Sequence, residues 1–279
     1  MPDQHALIQF YRADDGYRCA ARVWKTPNPI GRVVLLHGII SHGGWYVTTC
    51  QALARVGFEV HFLDRRGSGL NADARGDVAD AETWIGDLRG YLTSLPSDVP
   101  KLLVGISWGG KLAVATVKRS PELVAGLGLI CPGLYARYGT NPLQRRALFF
   151  AARVGLEGRK APIPLRNPAL FTDSAPWQRY IRDDPLTLRS VTIRAALADI
   201  KLTAEARTDP ESLRTPTLLM LSNHDRIIDN AAVRELFSRF CSSNKRLFEY
   251  PCAHTLEFED RPEQYLHDLC GWATDVATA

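Results

Sequence analysis

The chain has 279 residues, 46% of them hydrophobic and 23% charged, with a formal net charge of +4. This is globular composition with ample apolar residue for a large core, and the length suits one or two domains. No run of about 18 uncharged apolar residues occurs, which excludes a membrane-spanning helix. The opening MPDQHALIQF has no basic segment ahead of an apolar one, so no secretory signal is expected. The six cysteines (Cys19, Cys50, Cys131, Cys241, Cys252, Cys270) form no CxxC pair. Reduced thiols in a cytoplasmic protein with no metal and no cofactor are therefore expected. Basic runs interleaved with aromatics are absent, so a nucleic-acid partner is not expected. Charge is uneven: residues 137–213 hold thirteen Lys/Arg against eight Asp/Glu. Such a bias can favour anionic substrates, but a solvated arginine-rich face is the expected reading.

In chain order, strand-like runs at Ile8–Arg12 and Tyr17–Trp24 flank Asp14-Asp15-Gly16, a hairpin signal. Arg32–Leu36 is almost wholly apolar, as a strand buried on both faces should be. Helical spacing over Trp45–Val56 ends at Gly57, and Phe58–Leu63 reads as the next strand. Asp80–Leu95 places Ile85, Leu88 and Leu92 on one helical face. Lys101–Ile106 and Val124–Ile130 read as strands around a helix at Gly109–Lys118. The alternation predicts a mostly parallel, doubly wound sheet. It breaks after Pro132 and resumes at Thr217–Leu221, followed by a helix near Ala231–Phe240, a strand at Arg246–Tyr250 and a helix near Pro262–Val276. The expected organisation is a core of residues 1–136 and 214–279 with a mostly helical insertion at 137–213.

Gly105-Ile106-Ser107-Trp108-Gly109 matches GxSxG between a predicted strand and a predicted helix. That turn exposes the hydroxyl, and small residues on either side relieve crowding. A serine needs a base. Of seven histidines, including His5, His37, His42, His61, His224 and His267, His254 is favoured because its loop follows the last predicted strand. The orienting acid is expected at Asp225, directly after the strand Thr217–Leu221. Asp229 is the competitor and is better placed to cap the next helix. Ser107, Asp225 and His254 then stand in the chain order this topology expects. Backbone N–H groups of Trp108 and, from the loop His37-Gly38-Ile39, of Ile39 are the expected oxyanion donors.

These residues resemble the α/β-hydrolase family, in its monoacylglycerol lipase and lysophospholipase-like branch, which is also grouped with serine aminopeptidases. The resemblance rests on VVLLHG at 33–38, Leu63-Asp64-Arg65-Arg66-Gly67-Ser68-Gly69, GISWGG at 105–110, Asp184-Pro185-Leu186, SNHDRIID at 222–229 and the His254 loop. It implies a structural role for the stretch at 63–69 and a helical cap at 137–213 over an acyl pocket. Ile106 and Trp108 depart from the His and Met common in the lipases at those places. A Trp after the serine also occurs in proline iminopeptidases. The resemblance implies a serine hydrolase of medium- or long-chain carboxylic esters whose partner is a small-molecule ester. An aminopeptidase is the runner-up and would need an acid such as Asp183, Asp184 or Glu205 to hold an ammonium. A receptor on the same fold is a third reading. Within the insertion, Leu143–Leu156 carries Leu143, Leu148, Phe149, Phe150, Val154 and Leu156 among arginines. Its apolar face is expected to line the acyl site, with a partner or transient contact with a lipid surface as alternatives.

Overall fold

The computed structural model describes residues 6–259 and 262–279. His5 lies outside the described residues. An eight-stranded sheet has the order β1-β2-β4-β3-β5-β6-β9-β10. Its first two strands, β1 (Leu7–Arg12) and β2 (Arg18–Trp24), form the expected antiparallel hairpin, with Gly16 at φ 84° in the turn. The other six are parallel to one another: β3 (Gly31–Leu36), β4 (Phe58–Leu63), β5 (Lys101–Ile106), β6 (Gly126–Ile130), β9 (Thr217–Ser222) and β10 (Lys245–Tyr250). This is the doubly wound class that the alternation predicts.

Helices α1 (Val47–Arg55) and α8 (Glu263–Ala277) pack together, as do α2 (Ala81–Ser94) and α3 (Trp108–Arg119). The helix expected to start at Trp45 instead starts at Val47, after a separate 3-10 turn, Gly43–Trp45, which the His42 side chain caps at its start by accepting from the Gly44 N–H. Strand β3 is buried along its whole length, as its apolar run requires. Each such Val or Leu contributes about 1.5–3 kcal/mol of burial. In β6, Gly126 and Gly128 make room for the fully buried Trp272 of α8: a side-chain carbon at Gly126 would come within 3.1 Å of its ring.

Strand order reverses at β3, whose neighbours are β4 on one side and β5 on the other. Ligand crevices form at the carboxyl ends of the strands around such a switch point. The loop after β3 and the turn after β5 therefore face one another.

Between β6 and β9 the chain forms α4 (Pro142–Arg153), α5 (Ala175–Asp183) and α6 (Ile193–Arg207). A short antiparallel pair, β7 (Lys160–Pro162) with β8 (Ser190–Thr192), joins them and adds no strand to the main sheet. Asp184 ties this segment down. Its Oδ2 accepts from His42 Nε2 and Trp45 Nε1, each at 2.8 Å, and from Thr187 Oγ1 at 2.9 Å.

Candidate active site

Ser107 sits between β5 and α3 with φ 51° and ψ −118°. A non-glycine residue held there costs on the order of 1–3 kcal/mol, which the surrounding packing must impose. Here the turn is clamped from both sides: Ser107 N–H donates to Ile130 O at 2.9 Å, and its carbonyl accepts from Gly110 and Gly133 N–H. The strand and helix approach so closely that a side-chain carbon at Gly105 would lie 2.6 Å from the Gly109 carbonyl oxygen.

The structure brings together the three residues that the sequence singles out. His254 Nε2 is 3.0 Å from Ser107 Oγ, and His254 Nδ1 is 2.7 Å from Asp225 Oδ2. With Nδ1–H donating to the carboxylate, Nε2 is the acceptor facing the serine hydroxyl. The other carboxylate oxygen, Oδ1, accepts from Ile227 N–H at 2.7 Å and Ile228 N–H at 2.9 Å. Burial alone would push the Asp225 carboxyl up, but His254 and these two N–H groups outweigh it and hold it below its ordinary value. Asp229 is elsewhere: its side chain caps α7 (Asn230–Ser238) by accepting from Ala232 N–H.

Trp108 N–H opens α3, where no helical carbonyl precedes it. The loop after β3 lies directly opposite, so that a side-chain carbon at Gly38 would sit 3.6 Å from Ser107 Oγ. Arg65 sets that loop. Its guanidinium donates to Gly38 O at 2.8 Å and Ile39 O at 2.5 Å and stacks over the Trp108 ring at 4.6 Å. A trans peptide points its C=O and N–H in opposite directions. Tying the Gly38 carbonyl to Arg65 therefore turns the Ile39 N–H away from Arg65. Burial pulls Arg65 down to about 9, against the attraction of Asp199 and Asp64, so it stays cationic at neutral pH. His37 is pushed down to about 3 by burial and then by Arg65. Neutral, it accepts the Arg65 N–H at Nε2 and donates from Nδ1 to Gly38 O. The motif at 63–69 reads in sequence as a turn only. An arginine two residues past the end of β4 is the one signal that could have singled out Arg65.

A cavity of about 330 Å³ opens beside Ser107, Ile39 and Trp108. Its apolar wall includes Ile163, Leu165, Ile200, Ile227 and Ile228. The expectation for α4 fails. None of Leu143, Leu148, Phe149, Phe150, Val154 or Leu156 lines the cavity; α4 contributes Arg145 alone. Leu143 is 74% and Phe150 67% exposed. Helical periodicity defines an apolar face but not the direction in which the tertiary fold turns it. The acids considered for an ammonium do not reach the cavity either. Asp184 is consumed by His42 and Trp45, Glu205 pairs with Arg119, and Asp183 is exposed. Among the described residues, one group of metal-ligating atoms clusters within 4.8 Å: Cys131, Asp225 and His254. Two of its three members are already engaged with Ser107 and with each other.

A serine, a histidine and an acid in this geometry, at the carboxyl edge of this sheet, define an α/β hydrolase. The family model described as serine aminopeptidase, S33, matches residues 27–261. The chain belongs to that family. It is 30% identical to a monoacylglycerol lipase of Mycolicibacterium smegmatis over 92% of this chain and 93% of the relative. It is 27% identical to the phospholipase YtpA of Bacillus subtilis, over 81% and 88%. A solved monoglyceride lipase from Saccharomyces cerevisiae, crystallised with a substrate analogue, superposes with a TM-score of 0.86 at 17% identity, covering 100% of this chain and 98% of that one. With these relatives the protein is a carboxylic ester hydrolase.

Proposed function

We propose that the enzyme cleaves medium- to long-chain acyl esters, of the monoacylglycerol or lysophospholipid kind, through an acyl-enzyme on Ser107. His254 takes the Ser107 proton as the hydroxyl attacks the carbonyl carbon, then gives it to the departing alcohol. Asp225 holds the imidazole in its tautomer and stabilises the imidazolium. The Ile39 and Trp108 N–H groups receive the oxyanion. Water, deprotonated by His254, releases the acid. The observation that carries this reading is the pair of contacts at 3.0 and 2.7 Å linking Ser107, His254 and Asp225 beside an apolar-walled cavity.

Residues 137–213 act as a cap on the core of 1–136 and 214–279, with Asp184 as the latch. The outward face of α4, with Phe149 and Phe150 beside Arg146 and Arg153, suits transient contact with an anionic lipid surface. No helix among the described residues is long and apolar enough to cross a membrane. The six free cysteines favour a reducing compartment such as the cytoplasm. An aminopeptidase would need a free carboxylate in the cavity, and Asp199 there is occupied by Trp108 and Lys111. The deciding experiment is a panel of p-nitrophenyl esters of increasing chain length, run beside monoacylglycerols and amino-acid p-nitroanilides. Ester turnover that rises with chain length supports the reading; faster anilide turnover, or none at all, overturns it.

A further inference from the structure

Three arginines at the cavity, Arg137, Arg145 and Arg207, share an unusual arrangement. Each is anchored through Nε to a backbone carbonyl: Arg137 to Ile228 O at 3.2 Å, Arg145 to Thr140 O at 3.1 Å, Arg207 to Leu134 O at 2.6 Å. Arg207 is further held by stacking over the Tyr135 ring at 4.0 Å. None of the three has a carboxylate partner among the described residues. The cavity's acid, Asp199, is already taken by Lys111 Nζ at 2.8 Å and Trp108 Nε1. Among the described residues, Asp199 is thus the one acid lining the cavity against Lys111 and three arginines, which leaves an excess of positive charge where Ser107 opens.

We infer that the substrate ester carries a second, anionic group, a carboxylate or phosphate, which these guanidinium groups bind while the ester lies at Ser107. Anchoring through Nε fixes the stem and leaves the terminal nitrogens for an incoming oxyanion, which a guanidinium meets in a bidentate fork. Burial, and then the like charge of Arg145, pull the Arg207 guanidinium below its ordinary value, with Tyr135 and Asp199 opposing. Arg145 and Arg207 line the same cavity, and an anion bound between two like charges stabilises both. Neutral glycerol esters offer no such group, so the inference narrows the ester-hydrolase reading, on which it rests.

The test compares charged and neutral esters that are otherwise matched. One arm sets the p-nitrophenyl half-ester of adipic acid against its methyl-capped diester. The other sets 1-acylglycerol 3-phosphate against the monoacylglycerol with the same acyl chain. A charge-assisted contact is typically worth about 1.5–3 kcal/mol, so kcat/KM should favour the anion by roughly tenfold or more in at least one arm at low salt. Arg145→Gln and Arg207→Gln should each cut that ratio several-fold, and salt should erode it. Lys201→Gln, on the exposed side of α6, removes the same charge and should leave the ratio in place. Preference in the first arm assigns a carboxylate on the acyl side; in the second, a phosphate on the alcohol side. A ratio near one in both arms, or equal losses in the Lys201 control, overturns the inference while leaving the hydrolase reading intact. Absence of turnover on every ester sinks both.

Discussion

Arg65 donates to the Gly38 carbonyl at 2.8 Å, and that carbonyl shares its peptide with the Ile39 N–H. A cation from the loop after β4, outside the cavity lining, thus orients the N–H that we propose receives the oxyanion. Arg65→Gln should lower kcat by about 10- to 100-fold, a fraction of what losing an oxyanion donor outright costs, with KM little changed. A rise in KM at constant kcat would assign Arg65 to binding instead. A melting curve confirms that the variant is folded.

Ser107→Gly should abolish ester turnover and stabilise the fold. Removal of a triad member costs on the order of 10⁴ or more in rate. Relief of the positive φ should add about 1 kcal/mol, a rise in Tm of about 2 °C. An inactive variant that melts lower than the parent would contradict the strain argument.

Asp225→Asn and Asp229→Asn should separate widely. The first removes the acceptor at 2.7 Å from His254 Nδ1 and should reduce kcat by about 10⁴. The second keeps a good helix cap and should lie within a factor of a few of the parent. Asp229→Ala should lower stability by about 1 kcal/mol and spare kcat. A larger rate loss in the Asp229 variants would reverse the assignment.

Asp184 makes stability depend on pH. Burial by itself would raise its carboxyl, but the donors His42 and Trp45 outweigh burial and hold it well below its ordinary value. A depressed folded value means the contribution is fully present above the unfolded value of about 3.9. It is lost as pH falls further, through the folded value. Asp184→Asn should therefore destabilise by about 2–3 kcal/mol at pH 7, and the difference in Tm from the parent should shrink below pH 4. A difference that does not change with pH would show that shape, and not charge, carries the latch.

Phe150→Ser on α4 should leave turnover of water-soluble acetate esters as it is, because the side chain is exposed and outside the cavity. Sedimentation with anionic phosphatidylglycerol vesicles should weaken several-fold, since burying an aromatic side chain is worth about 1.5–3 kcal/mol. Unchanged vesicle binding would remove α4 as the contact.

What the sequence determined by itself is what short-range sterics and local hydrogen bonding decide. The apolar runs dictate β3 to β6. The glycines around Ser107 dictate the turn that lifts it. An acid in the loop just past β9, with another placed to cap α7, separates Asp225 from Asp229, because a capping side chain is spent on its own helix. Tertiary structure alone decided the rest. Arg65 lies 26 residues from the Ile39 carbonyl it holds, and Asp184 lies 142 residues from His42. Neither pairing leaves a periodic or local trace, since any arginine or aspartate can end a strand or a helix. The outward turn of α4 is of the same kind: its pattern states that one face is apolar, while the packing of α6 and the cavity wall decides which side that face meets.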